Sequence, residues 1–96
     1  MDNYSSILIS FLDNISHDPR IGVSHISLFC ALVKQATMTD DHSILVKSNE
    51  VMKVAKISGL GTYHKCIREL NDYGYIKYRP SYDHRRKSKV DFVAPL

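Results

Sequence analysis

Only two cysteines occur in this 96-residue chain, Cys30 and Cys66, and they form no CxxC or other close metal-like pair. Both fall inside apolar helical patterns and are expected to be buried thiols in a reducing cytoplasm. No run of about 18 apolar residues is present, so no membrane-spanning helix is expected. The N-terminal MDNYSSILISFLD lacks the basic start and the small-residue cleavage site of a signal peptide, which fits a cytoplasmic location. Catalytic signatures are missing too. There is no GxSxG, P-loop, HExxH or His–Cys–Asp arrangement, so no enzyme is expected. GLG at 59–61 does not make a phosphate-binding fingerprint. Among the five histidines, His17, His25 and His42 stand in or beside loops and helix starts without ligand spacing. His64 and Cys66 are two apart on a helix and point in different directions. Neither a metal nor a cofactor is expected. Met1, Met38 and Met52 show no functional pattern, and no repeat or low-complexity segment occurs.

What remains is a small core-forming chain with an uneven charge. Apolar residues make up 44%, enough for one modestly stable domain over 1–96. Residues 1–46 carry two Lys/Arg against five Asp/Glu, whereas residues 47–96 carry eleven against five. A basic half of that kind is either an electrostatic footprint for nucleic acid or an ordinary solvated surface.

Periodicity predicts the elements. Tyr4, Ile7, Leu8, Phe11, Leu12 and Ile15 recur at helical spacing and predict a helix over 4–16. Pro19 and Gly22 then break the chain. VSHISLFCALVKQATM predicts a second helix, apolar most of the way round and therefore central to the core. These two N-terminal helices occupy about 1–40. TDDH is a loop and SILV (43–46) a short strand candidate. Residues 48–74 predict a helix–turn–helix unit. Ser48 is the expected N-cap of its first helix, with Glu50 in the first turn. SGLG (58–61) is the turn, with Ser58 or Gly59 as the next cap. Tyr63, Cys66, Ile67 and Leu70 make one buried face of a helix over 60–73, and Gly74 ends it. Residues 75–94 predict a hairpin, in which YIKYRPSY and KVDFV alternate on either side of DHRRKS. Tyr75 and Tyr78 are expected in the hairpin's packing, because strands favour aromatic residues in any case.

Two short helices joined by a tight turn and followed by a hairpin predict an α+β fold of the winged helix-turn-helix kind. It would carry extra N-terminal helices and a C-terminal two-stranded wing. Such a unit exposes one polar face of its second helix to the major groove of double-stranded DNA. Here that face holds Thr62, His64, Lys65 and Arg68, with Asn71 and Asp72 further along. It begins at a helix N-terminus, where backbone donors and cations together favour a phosphate. The wing tip, His84, Arg85, Arg86 and Lys87, is a cationic cluster suited to the backbone or minor groove.

At these residues the chain resembles a known family. EVMKVAKISGLGTYHKCIRELNDYGYIKYRPSY, preceded by DPRIGVSHISLFCALVKQ, is similar to small winged-helix proteins of Bacteroidetes. These are often assigned as transcriptional regulators and associated with mobile genetic elements. The likeness covers about residues 17–82. It implies that the family's DNA-binding positions fall on Met52, Lys56, Thr62, Tyr63, His64, Lys65 and Arg68. The chain departs from the family at Gly59-Leu60, where a Ser-Lys pair is usual. It departs again at DHRRKS, where an Asn-Pro-x-x-Gly-Ser turn is usual, and its own tip is more basic.

Three functions stay open at this point. The first is a sequence-specific DNA-binding transcriptional regulator. The second is a protein-interaction module, since fold alone does not fix function. The third is the DNA-binding part of a plasmid or transposon replication or recombination apparatus. A homodimer is expected as well, because the apolar stripes of the first two helices are wider than one small domain covers.

Overall fold

The computed structural model describes residues 3–39, 43–81 and 87–93. The expected TDDH loop from Asp40 on, and the hairpin tip from Tyr82 to Arg86, lie outside them. The fold is α+β, with four helices and a three-stranded antiparallel sheet.

Apolar spacing accounts for the helices. In α1 (Asn3–Ile15), Ile7 and Phe11 are buried, while Tyr4, Leu8 and Ile15 pack at the core's edge. Leu12, expected on the same stripe, is 43% exposed. Helix α2 (Val23–Thr37) is the central element and touches α1, α3, α4 and β1. Leu28, Phe29, Ala31, Leu32, Val33 and Ala36 are all buried on it. One strip of α2 stays exposed at Val23, Cys30 and Lys34, with Ser27 half-buried on the same line and donating to the Ala55 carbonyl. Cys30 is therefore exposed, contrary to the buried thiol expected, because neighbours cover every other side of α2. Cys66 is buried as expected, and that burial pushes its thiol up from the ordinary value.

Helix α3 (Ser48–Ala55) starts one residue earlier than its cap chemistry indicated. Lys47 occupies the N-cap in extended backbone, with no side-chain cap, and Ser48 is already helical. Helix α4 (Leu60–Asp72) has Gly59 at its N-cap, so Leu60 and Gly61 belong to the helix and only 56–59 make the turn. Gly74 ends α4 with φ 88°. The Tyr75 N–H returns to the Leu70 carbonyl (2.9 Å) and the Gly74 N–H to that of Asn71 (3.1 Å). That pair of bonds is the Schellman ending, which needs a left-handed residue at Gly74.

The sheet contains β1 (Ser43–Val46), β2 (Ile76–Arg79) and β3 (Ser88–Phe92) in the order β1-β3-β2. The expected hairpin thus gains a third strand. β1 pairs along the edge of β3 that β2 leaves open, with Ile44 opposite Val90 and Leu45 opposite Lys89. An uncovered edge would expose a row of backbone donors and acceptors, and SILV supplies the partner. Ile44, Val46, Ile76, Val90 and Phe92 point inward and are buried. Three phenylalanines join the layers. Phe11 stacks on Phe29 at 3.8 Å between centroids, and Phe92 meets Phe29 edge-on at 5.7 Å.

Candidate nucleic-acid interface

Helix α4 has two distinct faces. Tyr63, Cys66, Ile67 and Leu70 are buried and hold the helix on the domain. Gly61, Lys65, Arg68 and Asp72, at i, i+4, i+7 and i+11, form the centre of the exposed face. His64 flanks that line on one side and Thr62 on the other. His64 is half-buried, with its ring 5.4 Å from that of Tyr63. Among the described residues no ion pair engages Lys65 or Arg68. The Glu69 carboxyl one turn on is lowered by the Tyr73 hydroxyl first, then by His25, and least by the charge of Lys65.

Tyr63 is corrected as a contact residue. It is 1% exposed and ranks with the largest fully buried side chains. Burial, and then the neighbouring Tyr78, push its phenol well above the ordinary range. Its part is to seat α4, not to touch a ligand. Met52 is half-buried against the core.

The N-terminus of α4 is bare. Gly59 offers no capping side chain, and the first intrahelical bond runs from the Tyr63 N–H to the Gly59 carbonyl (3.0 Å). The preceding N–H groups have no partner within the helix. Gly61 lies among them, exposed, and a Cβ there would meet nothing within 4 Å. The fold gives no steric reason for a missing side chain at this position. Before the turn, Lys56 ends α3 in the left-handed region at φ 61°, with its side chain exposed. Lys87 is exposed at the start of the return strand. Arg85 and Arg86, expected beside it, lie outside the described residues.

A polar network that sequence reasoning missed fixes the far end of α4. The Arg20 guanidinium donates two hydrogen bonds to Asp18 (2.8 and 2.9 Å), the Arg20 backbone N–H a third (3.1 Å), and the guanidinium lies 4.0 Å over the Tyr73 ring. The Tyr75 hydroxyl donates to Asp18 (2.6 Å), and the Tyr73 hydroxyl to Glu69 (2.8 Å). His25, buried at the start of α2, accepts the Gly22 N–H at Nδ1 (3.0 Å). That leaves Nε2 to donate to Glu69, 3.2 Å away. The Arg20 guanidinium, then the Tyr75 hydroxyl, hold the Asp18 carboxyl well below the usual range. Tyr75 is pushed up to about 12 by burial and by Asp18. The one signal for this cluster was the Asp18-Pro19-Arg20 spacing, which lets the guanidinium fold back on the carboxylate.

Asn71, expected on the free polar face, is a clamp instead. Its Oδ1 accepts the Tyr78 N–H of β2 at 2.9 Å, tying the hairpin to α4. Tyr75 and Tyr78 are half-buried against the core, in line with the packing expected of them. Among the described residues no group of three or more His, Cys, Asp or Glu could hold a metal ion, and no helix is long and apolar enough to cross a membrane. No protein-family model, curated protein or solved structure matches this chain.

Proposed function

We propose that the chain is a winged helix-turn-helix protein that binds double-stranded DNA and acts as a transcriptional regulator in the cytoplasm. α3, the turn 56–59 and α4 form the reading unit, and the β2–β3 hairpin is the wing. α4 enters the major groove, and the wing lies on the backbone or in the minor groove. The observation that carries this reading is the division of α4. Its apolar face is used up in the core, while the opposite face presents Lys65 and Arg68 with no ion-pair partner among the described residues. A surface helix carries a polar face in any case; this one adds to it an uncapped N-terminus behind a tight turn. Thr62 and His64 flank it, and the bare first turn at Gly61 lets a phosphate approach the backbone closely. The resemblance of residues 17–82 to Bacteroidetes regulators supports the same role.

Capture of genomic fragments on the immobilised protein, followed by sequencing, tests the proposal. Enriched fragments should share a motif. Arg68→Ala and His64→Ala should each cost about 1–3 kcal/mol on that motif and much less on mixed-sequence DNA. Wild-type protein that enriches nothing and binds no duplex at low salt sinks the reading and leaves the interaction module in its place.

A further inference from the structure

The sheet has a second face, and its composition is unusual. Residues alternate along each strand, so Ser43 and Leu45, Lys77 and Arg79, and Lys89 and Asp91 all point away from the helices. Register brings these into two rows. One row is Ser43–Asp91–Lys77, in which the carboxylate stands opposite the lysine. The other is Leu45–Lys89–Arg79, in which two cations stand opposite each other with no acid between them. Cross-strand partners have Cβ atoms about 5 Å apart, and like charges there oppose folding. Lys87 continues the line on one side, and Lys47 follows β1 in extended backbone. Arg79, Lys87 and Lys47 are exposed and Lys89 is partly so. Among the described residues none of these cations joins an ion pair. Asp91 is the only carboxylate at an outward strand position.

We infer that this outer sheet face, centred on Arg79 and Lys89, is a second phosphate-binding surface for double-stranded DNA, beyond α4 and the wing tip. The inference rests on the DNA-binding reading. An acid opposite either residue would relieve the repulsion within the folded chain, and the register gives such a partner to Lys77 alone. Phosphates relieve it only when DNA is bound. The face is assigned to backbone, not bases, since phosphates are the charges that a row of cations meets whatever the sequence. It extends the footprint from the wing tip along the outer side of the wing's strands toward β1 and adds affinity without specificity.

The double substitution Arg79→Gln/Lys89→Gln in the full chain tests this, with duplex affinity measured by fluorescence anisotropy across a salt series. Binding should weaken alike on preferred and mixed-sequence duplexes. The slope of log affinity against log salt should become shallower by up to ~1.8, from two lost contacts at ~0.9 each. The free protein should melt no lower than wild type at low salt, because a repulsive pair has gone. Lys77→Gln, whose residue already faces Asp91, should change the slope less. Unchanged affinity and slope in the double variant overturn the proposal, while the Arg68→Ala result judges the α4 reading separately. Wild-type protein that binds no duplex at any salt overturns both. A variant that keeps DNA binding but loses retention on polyglutamate assigns the face to an acidic protein, which also overturns the proposal.

Discussion

Lys56 and Gly74 hold the same kind of backbone at the ends of two successive helices. The Ile57 N–H returns to the Met52 carbonyl (3.0 Å) just as the Tyr75 N–H returns to that of Leu70 (2.9 Å). Both bonds need the intervening residue in the left-handed region, and only Gly74 reaches it without a Cβ penalty. Gly74→Ala should destabilise by about 1 kcal/mol, and by backbone strain alone, because a Cβ there meets nothing within 4 Å. Lys56→Gly should stabilise by up to about 1 kcal/mol in denaturant melts. If that stabler variant also binds DNA less well, the lysine is kept for contact at a cost in strain. Asp18 and Glu69 couple folding to pH. Both folded carboxyls titrate below their ordinary values of 3.8 and 4.5. The unfolded chain therefore takes up protons first, and the contribution of these groups is complete above that range and lost as pH falls below it. Thermal melts from pH 6 to pH 2 should show that loss. Asp18→Asn should flatten it and lower stability near pH 6.

At the level of elements, α4 is the part whose two faces can be tested independently. Gly61→Ala should raise helix stability by roughly 0.5–1 kcal/mol, since the position is exposed and open. A stabler protein with weaker DNA binding would show that the bare first turn touches the partner. An unchanged affinity would remove Gly61 from the interface. Asn71 tests the joint between α4 and the hairpin. β2 is an edge strand, and the Asn71 Oδ1 covers one of its outward N–H groups. Asn71→Ala should cost about 1 kcal/mol in chemical denaturation. It should also weaken binding through misplacement of the hairpin, though Asn71 meets no DNA in the proposed pose. An affinity that follows only the loss of stability would mean that the hairpin is positioned by packing alone.

For the whole molecule, the charge division follows the order of the elements. The basic half supplies α4, the turn and both hairpin strands, while α1 and the 16–22 segment carry Asp13 and Asp18. Ile9 and Leu12 on α1 and Val23 on α2 remain exposed at 48%, 43% and 82%. That uncovered surface is the ground for a homodimer, which also suits a palindromic site. Light scattering at tens of micromolar should show a dimer, with or without DNA. A monomer under both conditions counts against it.

The sequence alone determined what depends on neighbours along the chain. Helical spacing located all four helices to within a residue or two, Gly74 marked the end of α4, and alternation marked both hairpin strands. These features are local, since period, cap and turn are set within a few residues. The sorting of α4 into a packing face and a polar face was legible for the same reason. Tertiary structure decided what depends on distant partners. Cys30 is open because of where α1, α3 and α4 happen to leave α2 bare. β1 joins β3 across more than forty residues and sets Leu45 beside Lys89, while the β2–β3 register sets Arg79 on its other side. The ring of Asp18, Arg20, His25, Glu69, Tyr73 and Tyr75 draws on three separate stretches of chain. Such contacts have no period or short spacing to reveal them, because each residue type reads as solvated until the fold removes the water.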